Sequence, residues 1–264
     1  MPGSFIPSAM NTSPTILAAA LAALSLVGTC GAVRPPRVAH PDSLHLLPPS
    51  LWELPDNPWS PEQRNNVQRL TEDDYSQGAE ELGIDIATMK AVIAIEAGAT
   101  HQGFYAPGKP LLNFDLAMFK RGSRKRGINL TPYMKKHPVV FARPNTARYG
   151  SYQAAQYERL KSAMAIDSVT ALENTFWGMF QIGGFNWRKC GAESVTDFVK
   201  RMSVSEHEQL ELFVEFVKSQ GLDVYLQKKD WAGFARRYNG PGYAKRRYHT
   251  RLARAYEKYR KETR

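Results

Sequence analysis

The sequence predicts a mainly α, multi-helix single domain with at most a small β element near residues 104–115, on three observations. Thr71-Glu72-Asp73-Asp74 has the form of a helix start, a hydroxyl cap followed by acids in the first turn, and the helix it opens should run to Leu82 and stop at Gly83. From Ile84 to Ala97 apolar residues fall at 84, 86, 89, 92, 93 and 95, close to apolar all round, as a helix threaded through a core must be. No stretch of alternating β-type residues is long enough for a substantial sheet.

The remaining elements follow in order. Gly98 is the expected stop of the apolar helix. Leu111–Asp115 reads as a short extended stretch, and Arg121–Arg126, rich in Gly and cations, as a loop. Helical runs punctuated by glycine are expected at roughly 152–166, 169–178, 195–202, 205–219, 230–237 and 241–260. Ahead of this domain, taken as residues 71–262, residues 33–70 are dense in proline, with Pro35-Pro36, Pro48-Pro49 and Pro61, and read as an extended linker.

Residues 1–32 carry no charged side chain and contain a 12-residue apolar run, Ile16–Val27, followed by the small residues Cys30-Gly31-Ala32. That run suits the h-region of a signal peptide or an N-terminal anchor better than a membrane-spanning helix. Either reading places the chain in the periplasm or outside the cell. A start codon assigned upstream of Met10 is the alternative. Of the two cysteines, Cys30 leaves with a cleaved leader, so Cys190 is expected to act as a small buried apolar residue. The net charge of +10 attracts any polyanion: nucleic acid, an anionic membrane or an acidic wall.

Three segments could carry chemistry. Glu96 sits in the last turn of the apolar helix, where lost hydration and the negative end of the helix dipole both favour a protonated carboxyl able to donate at neutral pH. Alone, it reads more readily as a carboxylate at a fraying helix end, turned to solvent. Trp177-Gly178-Met179-Phe180-Gln181-Ile182-Gly183-Gly184-Phe185-Asn186 places two amides, Gln181 and Asn186, among aromatics. Such amides can bond sugar hydroxyls while Trp177 and Phe180 floor a saccharide cleft; an aromatic core turn is the other reading. Phe234–Tyr243 holds Tyr238, Asn239 and Tyr243 around a sharp Asn-Gly-Pro-Gly turn, which is either a cleft edge or a helix–helix corner.

In this order, and joined by Tyr157–Asp167 and by Asp230-Trp231-Ala232-Gly233-Phe234-Ala235, these segments resemble the N-acetylmuramidase family of phage endolysins and bacterial wall-active proteins, over roughly residues 71–260. The resemblance implies a lysozyme-like fold and hydrolysis of the β-1,4 bond between N-acetylmuramic acid and N-acetylglucosamine. It places the catalytic acid on Glu96, a second carboxylate on Asp115 (where the family context is Leu-Phe-Glu-like) and a functional tyrosine on Tyr238. Trp177, Phe180, Gln181, Asn186, Asn239 and Tyr243 are then the substrate-binding candidates. With Asp115 out of position, attack by the substrate's own hydroxyl would make a lytic transglycosylase; a degenerate cleft would leave a wall-binding protein.

No phosphate loop, nucleophile elbow or zinc-binding helix is present, and the six histidines share no metal-ligand spacing, so no cofactor or metal is expected. His101 reads as a loop histidine that could edge the cleft. Basic runs at 121–126 and 245–247 sit in no recognisable nucleic-acid-binding motif, so the expected partner is the glycan strand of peptidoglycan, with an anionic wall or membrane surface beside it, bound by a monomer.

Overall fold

The computed structural model describes residues 69–97 and 102–262. The leader, the linker up to residue 68, Cys30, Gly98 and His101 lie outside the described residues. Helix α1, Glu72–Leu82, begins with the expected device: Thr71 accepts from the Asp74 amide while the Asp74 carboxylate accepts from that of Thr71, and Gly83 ends the helix in the left-handed region at φ 62°. Helix α2, Ile86–Glu96, starts two residues later than the hydrophobic pattern suggests because Asp85 caps it through the Thr88 amide. Met89, Ala91 and Val92 are wholly buried.

The β element is real but split. Strands β1 (Phe104–Ala106) and β2 (Lys109–Pro110) form a small antiparallel pair. Strand β3 (Leu112–Phe114) joins a different sheet, described below. Helix α3, Leu116–Lys125, follows, so the stretch expected as a basic loop at 121–126 is mostly helix. Gly122 misleads as a breaker: a Cβ there would stand 2.6 Å from Asn174 Nδ2 and 3.0 Å from Thr170 Cγ2, so glycine permits close packing rather than a turn. Arg126, just past the helix, fastens the same junction, with Nη2 2.8 Å from Glu173 Oε2 and Nη1 donating to Thr170.

Short helices α4 (Tyr133–Lys136), α5 (Pro138–Phe141) and α6 (Thr146–Tyr149) lead into α7, Tyr152–Met164, and α8, Ser168–Glu173. The helix expected over 169–178 stops at Glu173. Thr175–Trp177, a run of β-formers, makes strand β4 instead, which pairs with β3 on one side and with β5 (Ile182–Gly183) on the other. A 3-10 helix, Gly184–Cys190, leads to α9 (Val195–Met202), α10 (Glu206–Ser219), α11 (Asp223–Gln227) and α12 (Trp231–Tyr238). Cys190 is buried as expected, and burial pushes its thiol up to about 12. The last helix, α13, runs over Tyr248–Glu262 rather than from 241: Pro241–Tyr243 forms only a 3-10 turn, and Arg247 takes a positive φ of 57° that interrupts any continuous helix. Helix α13 lies along α2 in the most extensive helix–helix contact of the fold.

Gly122→Val should destabilise the domain by about 1–3 kcal/mol through overpacking against α8. An unchanged urea midpoint would show that the α3–α8 junction is loose.

Candidate active site

Glu96 is half-buried at the last position of α2, and Asn239, at the end of α12, donates from Nδ2 to its Oε1 at 3.1 Å. Burial pushes the Glu96 carboxyl up to about 7; the Asn239 hydrogen bond and the positive charge of Arg251 on α13 pull the other way and lose. The group is therefore protonated in a good fraction of molecules near neutral pH, as a general acid must be. Asn239 is itself buried, and among the described residues its Oδ1 has no hydrogen-bond partner. Arg251 and the buried Tyr248, whose phenol is raised by burial and by the Glu96 charge, complete the surroundings. Neither stood out in the sequence, though the spacing of Tyr248, Arg251 and Leu252 marks one face of α13.

Tyr238 is not at the surface of this site. It is 2% exposed, stacked on Phe234, edge-on to Phe213 and Phe216, and its hydroxyl donates to the Phe180 carbonyl at 3.3 Å. Its phenol is held well above 10 by burial first and by the Glu96 charge second. A group so enclosed anchors the end of α12, and with it Asn239, rather than meeting a sugar.

The aromatic floor expected at 177–180 also lies in the core. Trp177 is wholly buried with its indole N–H donating to the Leu172 carbonyl, and Phe180 stacks on Phe213 with ring centroids 4.2 Å apart. Gln181 takes the left-handed φ of 49° in the β4–β5 turn and spends its amide on the Gly178 carbonyl. Asn186 is buried in the 3-10 helix beside a recess with Phe185, Phe216 and Arg237 that none of the residues around Glu96 lines. Tyr243, half-buried, meets His249 edge-on at 5.4 Å in the turn between α12 and α13. Of the candidates, then, the structure brings Asn239 to Glu96, sets Tyr238 behind it, and uses Trp177, Phe180 and Gln181 to build the hairpin. A surface recess along α13 from Thr250 to Glu262 is walled by one helix alone, and the chemistry at Glu96 is the better guide.

Asp115 caps α3, its Oδ1 accepting from the Met118 amide at 2.9 Å. That duty accounts for the shorter acid, since Asp is a strong N-cap residue. Strand β3, which ends beside it, is gripped by α7: Gln153 bonds both the amide and the carbonyl of Leu112, and Asn113 Oδ1 accepts from Tyr152 and Gln156. Arg159 is buried with its guanidinium over the Phe114 ring; burial lowers its pKa, and Tyr152 and the charge of Asp115 offset this only in part.

A knot that the sequence did not reveal ties α10 to segments distant in the chain. Gln209, wholly buried on α10, accepts from the Met179 amide and donates to the carbonyls of Gly103 and Met202. One turn earlier, buried Glu206 accepts from the amides of Gly103 and Leu70. Gly103 and Gly178 are glycine because a Cβ at either would strike the Gln209 amide. In the sequence both residues are ordinary polar positions in an α10 read only as an amphipathic run.

With this geometry in view, the comparisons with known proteins are direct. The sequence model of the N-acetylmuramidase family matches residues 85–260. The chain belongs to the N-acetylmuramidase family. Among solved structures, it resembles the crystal structure of Burkholderia AP3 phage endolysin with a TM-score of 0.63 and 36% sequence identity, over 75% of this chain and 73% of that one. No curated protein sequence matches it. As a member of this family the chain is a peptidoglycan hydrolase.

Two outcomes test the site. Because the folded carboxyl of Glu96 titrates near 7 against an ordinary 4.5, its ionised form weighs against folding: the penalty is absent below about pH 4.5, grows up to pH 7 and is constant above. Glu96→Gln should thus raise stability at pH 8 by roughly 1–3 kcal/mol and leave it near parental at pH 4, measured by urea denaturation at both values. Gln209→Leu strands the buried Met179 amide and the Met202 carbonyl, while the Gly103 carbonyl keeps its bond from the Leu111 amide, and should cost about 2 kcal/mol or more in the same measurement; a loss under 1 kcal/mol would dismiss the knot.

Proposed function

We propose that the chain hydrolyses the β-1,4 bond between N-acetylmuramic acid and N-acetylglucosamine, with Glu96 as the general acid. The observation that carries this reading is a half-buried carboxyl at a helix end whose burial raises it to about 7 while an amide fixes its orientation. Glu96 gives its proton to the bridging oxygen as the C–O bond breaks and positive charge develops on the sugar. Asn239 orients the acid through Nδ2, and its unpartnered Oδ1 is suited to accept from a substrate N–H or O–H. Asp115 either activates the attacking water or stabilises the developing charge.

The capping bond of Asp115 favours a second reading of the later step. One of its oxygens is committed to the Met118 amide, so attack by the sugar's own 6-hydroxyl, giving a 1,6-anhydro product, competes with attack by water. A third reading, a wall-binding protein with a degenerate cleft, predicts an inactive parent chain. Export to the wall accompanies the proposal, with residues 1–32 as signal peptide or anchor; N-terminal sequencing of the protein from the envelope fraction tests that part.

Zymography on purified peptidoglycan should show clearing by the parent chain and a loss of about 10²–10⁴-fold in Glu96→Gln. A fully active Glu96→Gln would sink the assignment of the acid, and an inactive parent would sink the enzymatic reading. Asp115→Asn with mass spectrometry of the fragments separates reducing ends from 1,6-anhydro ends. In the pH profile, activity should fall on the alkaline side with a midpoint near 7. Asn239→Ala removes an interaction that lowers the Glu96 value, so that midpoint should move up; a downward shift would contradict the role given to Asn239.

A further inference from the structure

Charge is very unevenly placed in this chain. Between Leu116 and Tyr157 there are nine Lys or Arg residues and no Asp or Glu, so one segment accounts for nearly all of the net charge of +10. Arg126 is turned inward to Glu173. The other eight are exposed, and among the described residues none stands in an ion pair.

Helix α3 shows how they are arrayed. Phe119 and Ser123 are buried, whereas Lys120 and Arg124, and Arg121 and Lys125, are like-charged neighbours one turn apart on the exposed side. Each such pair works against the helix, a cost that an external polyanion would remove. The surface continues beyond α3: Lys120 Nζ lies 6.0 Å from the Phe141 ring centroid, which joins it to the end of α5, and α4 adds Lys135 and Lys136. The residue that caps α3 is Asp115, so at a rise of 1.5 Å per residue Lys120 and Arg121 lie within about 10 Å of it along the helix axis. The cationic face therefore starts at the candidate second carboxylate.

We propose that the exposed face of residues 116–149 is a docking surface for the carboxylate-bearing peptide stems that peptidoglycan carries along its glycan strands. The proposal rests on the peptidoglycan reading above and extends it from the scissile bond to the peptide part of the substrate. A lipid surface fits less well, because a helix lying in a membrane needs an apolar face, and Met134 is the one large hydrophobic residue exposed on this segment away from Tyr152 at its far end. Docking of this kind acts through long-range attraction and loosely held ion pairs, so it governs capture of the wall rather than the chemical step, and salt screens it.

The test is co-sedimentation of the full chain carrying Glu96→Gln, which leaves the wall intact, with purified sacculi and with sacculi stripped of their stems by an amidase. Adding Arg121→Gln, Arg124→Gln, Lys125→Gln and Lys135→Gln should weaken binding to intact sacculi about 10-fold or more with an unchanged thermal midpoint, since exposed unpaired charges hold little of the fold. Stripped sacculi should bind the Glu96→Gln parent as weakly as intact sacculi bind the variant. Equal binding of intact and stripped sacculi overturns the proposal. So does parental binding that is insensitive to salt between 0.05 and 0.5 M, an outcome that needs no folded variant; so does binding to phosphatidylglycerol vesicles but not to sacculi. Cleavage of stripped glycan by the chain with Glu96 intact reports on the catalytic reading separately: loss of that activity with stem-dependent binding retained would fault the catalytic assignment alone.

Discussion

A helix without a polar side has to be covered all round, and here that requirement organises the domain. Helix α2 is such a helix: its middle residues Met89, Ala91 and Val92 have no exposed surface, α1 packs on it, and α13 returns from the far end of the chain to lie along it. The covering loosens over the last turn, where Ala94, Ile95 and Glu96 are half-buried. Glu96 thus stands where the apolar environment is still dense enough to resist ionisation, yet open enough to be reached. Desolvation is the largest influence on its carboxyl, and it prevails over both a hydrogen bond and a nearby arginine. The raised carboxyl is a consequence of burial at that end of the helix.

Placing the rest of the site depends on groups that never approach a sugar. Tyr238 is locked among Phe234, Phe213 and Phe216 and bonds the Phe180 carbonyl; the next residue, Asn239, can then hold Glu96. Gln209 ties Gly103, a few residues beyond the Glu96 helix, to the turn of the β4–β5 hairpin. A buried amide with all its bonds made fixes geometry more strictly than apolar packing does, because any displacement strands a polar group in a dry interior. The aromatic-glycine segment that resembles a sugar floor in the sequence is instead the inner wall on which the site is mounted.

Asp115 illustrates a residue serving two demands. Its position after a strand and before a helix calls for a short acceptor that can reach the amide three residues on, which favours Asp over the longer acid. The same position sets it beside buried Arg159 and at the start of the cationic face of α3. Local capping and the charges of Arg159 and α3 thus meet at one turn of chain.

Much of this was legible from the residues in order. Caps at Thr71 and the stop at Gly83, the core helix ending at Glu96, the runs over 195–202 and 205–219 and the burial of Cys190 all follow from local patterns whose causes are local: hydrogen bonds within a turn, or a periodicity of one face. Local pattern failed where a partner distant in sequence set the outcome. Gly122 reads as a break until α8 is seen packed against it; Thr175–Trp177 extends a helical run until β3 offers it a ladder; Trp177 and Phe180 look like ligands until Leu172 and Phe213 take them up. By itself the sequence determined which residue types were available for acid chemistry and the helices that carry them. Only the tertiary structure decided which of those residues face Glu96 and which stand behind it, because that depends on contacts between segments as far apart as Glu96 and Asn239, which no local periodicity encodes.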